Sequence, residues 1–243
     1  AGALVTGADT LSGGLTKLEA GSDQLAAGTN KLKTDLEAGK TKATESYSTA
    51  YGSFYKVAFA VTCMSQGINP NSATPQQQAV IAAAMAQFGI SQTPDVTSKT
   101  QYALATGYIL KNYASVKQVV AATVSAAAGG QLDEATVSSK ADEQIVTMTS
   151  GLSQAYQAYN NCNTTLSSLE DAGYFDGMTS LNGGIKSANS GATQLKAGID
   201  QLSTGAGQLS AGSKQLKSGL GTLSTGLNTL STSVGSFSTY REG

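Results

Sequence analysis

The chain has 243 residues, with 15 Lys and Arg against 16 Asp and Glu, three Pro, no Trp and no His. Charged residues make up 13%, about half of the roughly 25% typical of soluble domains, and the formal net charge of −1 offers no basic footprint for nucleic acid. Without His the chain lacks the commonest general base and metal ligand and every Ser-His or Cys-His dyad, so the composition points away from an enzyme and toward a structural or binding role.

The N-terminal segment, residues 1–43, is a heptad arm. Leu4, Leu11, Leu18, Leu25 and Leu32 recur every seventh residue, with Gly7, Gly14, Gly21 and Gly28 three residues after the first four. With Leu named position d, Gly falls at g and a small or apolar residue at a. This 3.5-residue period is that of a left-handed helical seam, and the other positions are mostly polar, as a solvated face requires. One Gly per heptad weakens an isolated helix by about 0.8–1 kcal/mol each, so packing has to stabilise it. A short-repeat β-solenoid is the competing architecture, disfavoured by the absence of strand-like alternation. The chain opens already inside a repeat, without the basic and apolar regions of a signal peptide, and so reads as part of a longer protein.

The middle, residues 44–170, reads as a head of about four helices. Tyr47, Tyr51, Phe54, Ala58 and Val61 form a wide apolar stripe leading to Cys63. Thr74, Pro75 and Gln77 form a capping-box pattern opening a helix that Gly89 ends. Ser98 caps a second helix over 99–127, which Gly129 and Gly130 stop, and a return helix runs over 134–169, opened by Asp133 and Glu134. The tyrosines Tyr102, Tyr108, Tyr113, Tyr156 and Tyr159 suit core packing better than a binding surface. Glu170, Asp171 and Asp176 lie in or beside a Gly-containing bridge and read as turn chemistry, since the dense spacing of a calcium loop is missing. No catalytic, cofactor or metal constellation is found.

The C-terminal arm, residues 171–243, resumes the heptad with Leu181, Leu195, Leu202, Leu209, Leu216, Leu223 and Leu230, Ala188 filling one gap and Phe237 continuing the register. Two arms at opposite ends of one chain predict an all-α fold: a long antiparallel helical-hairpin (coiled-coil) stalk with a helical-bundle head. Antiparallel seams place d beside a, and Leu4 with Leu220, Leu11 with Ser213 and Leu18 with Ala206 satisfy this, each pair of numbers summing to 224. The seam residues are then the leucines of both arms. Cys63 and Cys162, summing to 225, fit a disulfide clamping the hairpin, two buried free thiols being the alternative. A disulfide would indicate an oxidising compartment. The thin seam at Ala192, Ala206 and Ser213 also leaves room for a homodimer.

The L-x-x-G heptads resemble the x-x-x-Leu-x-x-Gly repeats of Gram-positive surface proteins, best known from the YhgE/Pip (phage infection protein) family. The match covers residues 4–35 and 181–237, in the repeat–head–repeat order of that family's ectodomain. The resemblance implies the extracellular part of a plasma-membrane protein at the cell surface. It would be anchored through flanking segments and act as a recognition module for a phage, peptide or envelope partner. Similar heptads occur in extracytoplasmic insertions of MmpL-like exporters, and the family's membrane part resembles ABC-2 permeases. An exporter's accessory domain is therefore the alternative function. No site residue carries over from the resemblance.

Overall fold

The computed structural model describes residues 2–241, and nothing is stated for the side chains of Phe237, Ser238 and Thr239. Among the described residues the protein is all-α. Its helices are α1 (Gly2–Ser65), α2 (Pro75–Gln87), α3 (Lys99–Lys111), α4 (Tyr113–Ala127), α5 (Glu134–Asp171) and α6 (Tyr174–Arg241). The chain divides into two compact units: an arm unit of residues 1–28 with 176–243, and a core unit of residues 29–175. None of the described helices is long and apolar enough to cross a membrane.

The core unit is built on the Tyr/Phe stripe of α1. Tyr47, Tyr51 and Phe54 are wholly buried with Ile81 and Met85 of α2, Ile109 of α3, Val116 of α4 and Leu152 of α5. Tyr51 and Phe54 meet edge-on with centroids 5.4 Å apart, and Phe54 meets Tyr108 in the same way at 6.0 Å. Such pairs add to area burial because ring edges and faces carry opposite partial charge. Burial pushes the Tyr51 hydroxyl up to about 12, and the hydroxyl donates to the Ser91 carbonyl at 2.9 Å. Gln101 is buried with both ends engaged: its amide NH2 donates to the Thr93 carbonyl at 2.8 Å and its oxygen accepts from the Asp95 N–H at 2.6 Å. This fastens the 88–98 loop to α3 without leaving a polar group unpaired.

The caps form as the sequence reads. Thr74 accepts from the Gln77 N–H while the Gln77 side chain accepts from the Thr74 N–H. Ser98 and Asp133 cap α3 and α5 through Gln101 N–H and Thr136 N–H. Gly89, Gly129 and Gly130 stand at φ of 73°, 59° and 73°, where a Cβ is strained. The expected single helix over 99–127 is instead two. Asn112 turns its side-chain amide onto the Tyr108 carbonyl at 3.0 Å and breaks the run at φ −110°, ψ 25°. Asn does this because its short polar arm competes with the backbone ladder.

Within the core unit α5 runs antiparallel to α1. Lys33 pairs with Glu170 at 3.4 Å, Lys40 lies over the Tyr159 ring at 5.6 Å, and a Cβ at Gly151 would lie 3.5 Å from the Ala50 Cβ. This register overturns the disulfide. Cys162 lies against Gly39, where an added Cβ would be only 2.8 Å from its Sγ. Cys63 is buried 24 residues farther along α1, roughly 36 Å away at 1.5 Å per residue. Both are free thiols, and burial pushes that of Cys63 up.

In the arm unit α1 and α6 are antiparallel, but in a different register and through a different face from those the heptad predicts. Ser22 donates to the Asn182 side-chain oxygen at 2.8 Å, Asp23 pairs with Lys186 at 2.9 Å, and Asp9 with Lys196 at 3.0 Å. Asn189 donates to Glu19. These pairs sum to between 204 and 209 rather than 224, so the polar partners fix the arms about two to three heptads from the register that sets Leu4 beside Leu220. The residues turned inward are Val5, Ala8, Ser12, Leu15, Glu19, Ser22 and Ala26 on α1. On α6 they are Asn182, Ile185, Asn189, Ala192, Lys196, Ile199 and Ser203. They occupy positions a and e, one residue round from the expected a and d. The predicted seam leucines of the two arms are 40–76% exposed.

From Thr204 to Ser236 every residue of α6 is exposed. Threonine hydroxyls throughout the arms donate to the carbonyl four residues back, as Thr10 does to Thr6 at 2.9 Å and Thr229 to Thr225 at 3.0 Å. Gly, Ser and Thr are weak helix formers, so such helices depend on packing rather than on propensity.

Candidate binding groove

A cavity of about 680 Å³ opens in the core unit where four elements meet. The end of α1 contributes Val61, Thr62 and Met64, and the segment after α2 contributes Phe88 and Ile90. One face of α3 adds Leu104, Tyr108 and Lys111, and the start of α4 adds Ser115 and Gln118. Phe88 is 65% exposed on its rim, and Met64 and Leu104 are also exposed. Met64 and Phe88 are held at the surface by the ends of α1 and α2, and Leu104 by the middle of α3.

Local geometry explains the placement. Gly89 takes φ 73°, and a Cβ there would come within 2.5 Å of Leu104 Cδ1. Leu104 therefore leans over the α2 C-terminus because Gly89 has no side chain. Tyr108 is fixed from behind by its ring contact with Phe54 and turns its hydroxyl toward the Ala58 carbonyl at 3.5 Å. The lining offers an apolar floor, several hydroxyl and amide groups and one cation, Lys111. This chemistry can hold an apolar side chain with hydrogen-bonding or acidic neighbours.

A second, shallower hollow lies between α1 and α5, where Glu37, Lys40, Glu45 and Glu170 stand beside Tyr159 and Leu166. Among the described residues no group of three or more His, Cys, Asp or Glu stands close enough to hold a metal ion. Glu170 is engaged by Lys33, and Asp176 lies in the first turn of α6, where a negative charge is favourable.

The expected core tyrosines divide. Tyr102 and Tyr156 stack at 4.4 Å, the Tyr102 hydroxyl donating to Ser153 at 3.2 Å. Tyr113 is exposed and donates to Asp142 at 2.6 Å. Asp142 also takes Lys117 at 2.7 Å, and that ammonium, with the tyrosine bond second, holds its carboxyl below the usual range. Tyr108 alone of the five lines the groove. Sequence reasoning passed over Phe88 and Met64, and counted Leu104 among the apolar residues of the helix over 99–127. The one signal for Phe88 is its place beside the terminating Gly89, and for Met64 its place off the apolar stripe of α1.

No family model, no curated protein and no solved structure matches this chain.

Proposed function

We propose that the chain is the extracellular portion of a Gram-positive membrane protein and acts as a surface recognition module, with the core unit presenting the Phe88–Leu104 groove to a phage or envelope protein. The observation that carries the reading is the pairing of two features. L-x-x-G heptads at both ends of the sequence are joined by a unit whose cavity is rimmed by exposed apolar side chains beside a single cation. Exposed aromatic anchors in a concave, part-polar setting are the usual centres of protein recognition. The heptad resemblance supports the surface location, and the lining chemistry favours binding over catalysis.

The test is protease shaving of intact cells, joined to competition of phage adsorption by the purified chain. Peptides from residues 29–175 are expected from intact cells, and the chain is expected to compete for adsorption. Phe88→Asp should weaken competition at least tenfold while leaving the fold intact, because Phe88 lies outside the core. Release of those peptides only after lysis would overturn the proposal.

A further inference from the structure

The arm unit puts its larger hydrophobic side chains on the wrong face for a self-sufficient hairpin. Its inner seam is built of small and polar residues, with Ser22 hydrogen-bonded to Asn182 and Asn189 to Glu19. Seven leucines flank that seam, each at least 49% exposed: Leu4, Leu11, Leu18 and Leu25 on α1, and Leu181, Leu195 and Leu202 on α6. The glycines three residues after these leucines are equally uncovered. A Cβ added at Gly7, Gly14, Gly21, Gly198 or Gly205, or at Gly191 in the same column after Ala188, would meet nothing within 4 Å. The leucine side chains that define the sequence are thus turned away from the intrachain seam.

These columns form one surface. The ion pairs Asp23–Lys186 and Asp9–Lys196 bridge one flank of the antiparallel pair. Asp9, Asp23 and Lys186 all lie five residues after a leucine of the column, on the far side of the seam from it. In an antiparallel pair, equivalent heptad positions of both helices fall on the same side. The leucine columns of α1 and α6 therefore share the opposite flank, with the glycine columns just beyond them.

We infer that this flank is a homodimer interface, on which a second copy of the chain lays its own leucine columns against the glycine columns of the first. The period argues for a copy. Leucine knobs every seven residues need gaps every seven residues, and the same surface supplies both. A twofold axis then matches the surface to itself. Charge agrees, since the column bordering the glycines over the paired stretch is Ala3, Thr10, Lys17 and Gln24 on α1 and Ser180, Ser187, Gln194 and Gln201 on α6, with one charge in eight. The area is sufficient. These seven leucines offer on the order of 600 Å² of apolar surface per copy, against roughly 450 Å² expected in a standard interface of about 800 Å² per partner. The inference concerns the arm unit and does not depend on the groove or its ligand.

The test is sedimentation equilibrium of the full chain at micromolar concentration. A dimer is expected. Leu11→Gln, Leu18→Gln and Leu195→Gln combined should raise its dissociation constant at least a hundredfold with helicity unchanged by circular dichroism. Gly14→Ala with Gly191→Ala should raise it about tenfold, although neither glycine touches anything in a single chain. Thr16→Gln with Thr193→Gln, on the ion-paired flank, should leave it unchanged. A chain that stays monomeric, a dimer that survives the triple leucine variant, or one that the threonine pair dissociates equally would overturn the inference.

Discussion

Phe54→Ala lowers the unfolding free energy of the core unit by about 3–5 kcal/mol. Phe54 is wholly buried, and its ring is held edge-on by Tyr51 and Tyr108. Truncation removes the transfer energy of the ring, leaves a cavity that rigid helices cannot fully close, and breaks both ring contacts together. Against a typical stability of roughly 5–15 kcal/mol, the loss is large enough to move the urea midpoint well outside error. Phe88→Ala is the matched control. That ring is 65% exposed, and its removal should change stability by less than about 0.5 kcal/mol. Denaturant titration followed by far-UV circular dichroism measures both, and equal effects would place the core elsewhere.

Replacing Gly13, Gly183, Gly207 and Gly221 by Ala should stabilise the arms by about 2–4 kcal/mol in total. None of the four belongs to the leucine-linked column. All are helical and exposed, and an added Cβ meets nothing within 4 Å at any of them. The gain comes from the unfolded chain, which loses conformational freedom when Gly becomes Ala, and well-separated sites add. Thermal unfolding by circular dichroism reads the gain as a higher midpoint for the arm helices. No rise would mean that these residues are not helical. The column glycines Gly7, Gly14, Gly21 and Gly28 provide the contrast, since alanine there should give the same gain in a single chain but oppose association between copies.

Local signals were legible in the sequence wherever a residue's chemistry acts on its own backbone. Thr74 with Gln77, Ser98, Asp133 and the stop glycines Gly89, Gly129 and Gly130 all do what their types dictate. The Tyr47–Val61 stripe also predicted its own burial. The seam was not legible, because leucine spacing fixes a period but not a direction. The polar residues Glu19, Asn182 and Asn189, read as a solvated face, turn inward, where Asn189 pairs with Glu19 and Asn182 with Ser22 of position a. The disulfide failed for a related reason. A seven-residue period allows many registers, and the antiparallel match of α5 to α1 sets Cys162 beside Gly39, far from Cys63. The groove was invisible because Val61, Phe88, Leu104 and Ser115 come from four separate elements, and no single-helix pattern joins them.

The central claim is that the arms pair through positions a and e, with the leucine repeat turned outward. Cysteine pairs introduced into a Cys63→Ala, Cys162→Ala background test it directly, with crosslinks identified by mass spectrometry after mild oxidation. Ser22→Cys with Asn182→Cys should form a disulfide efficiently, since the side-chain oxygens at these positions are 2.8 Å apart and the bond needs closely approaching Cβ atoms. Leu11→Cys with Ser213→Cys, the pair favoured by leucine spacing alone, should form none within a chain. The reverse outcome would contradict the account and return the leucines to the seam.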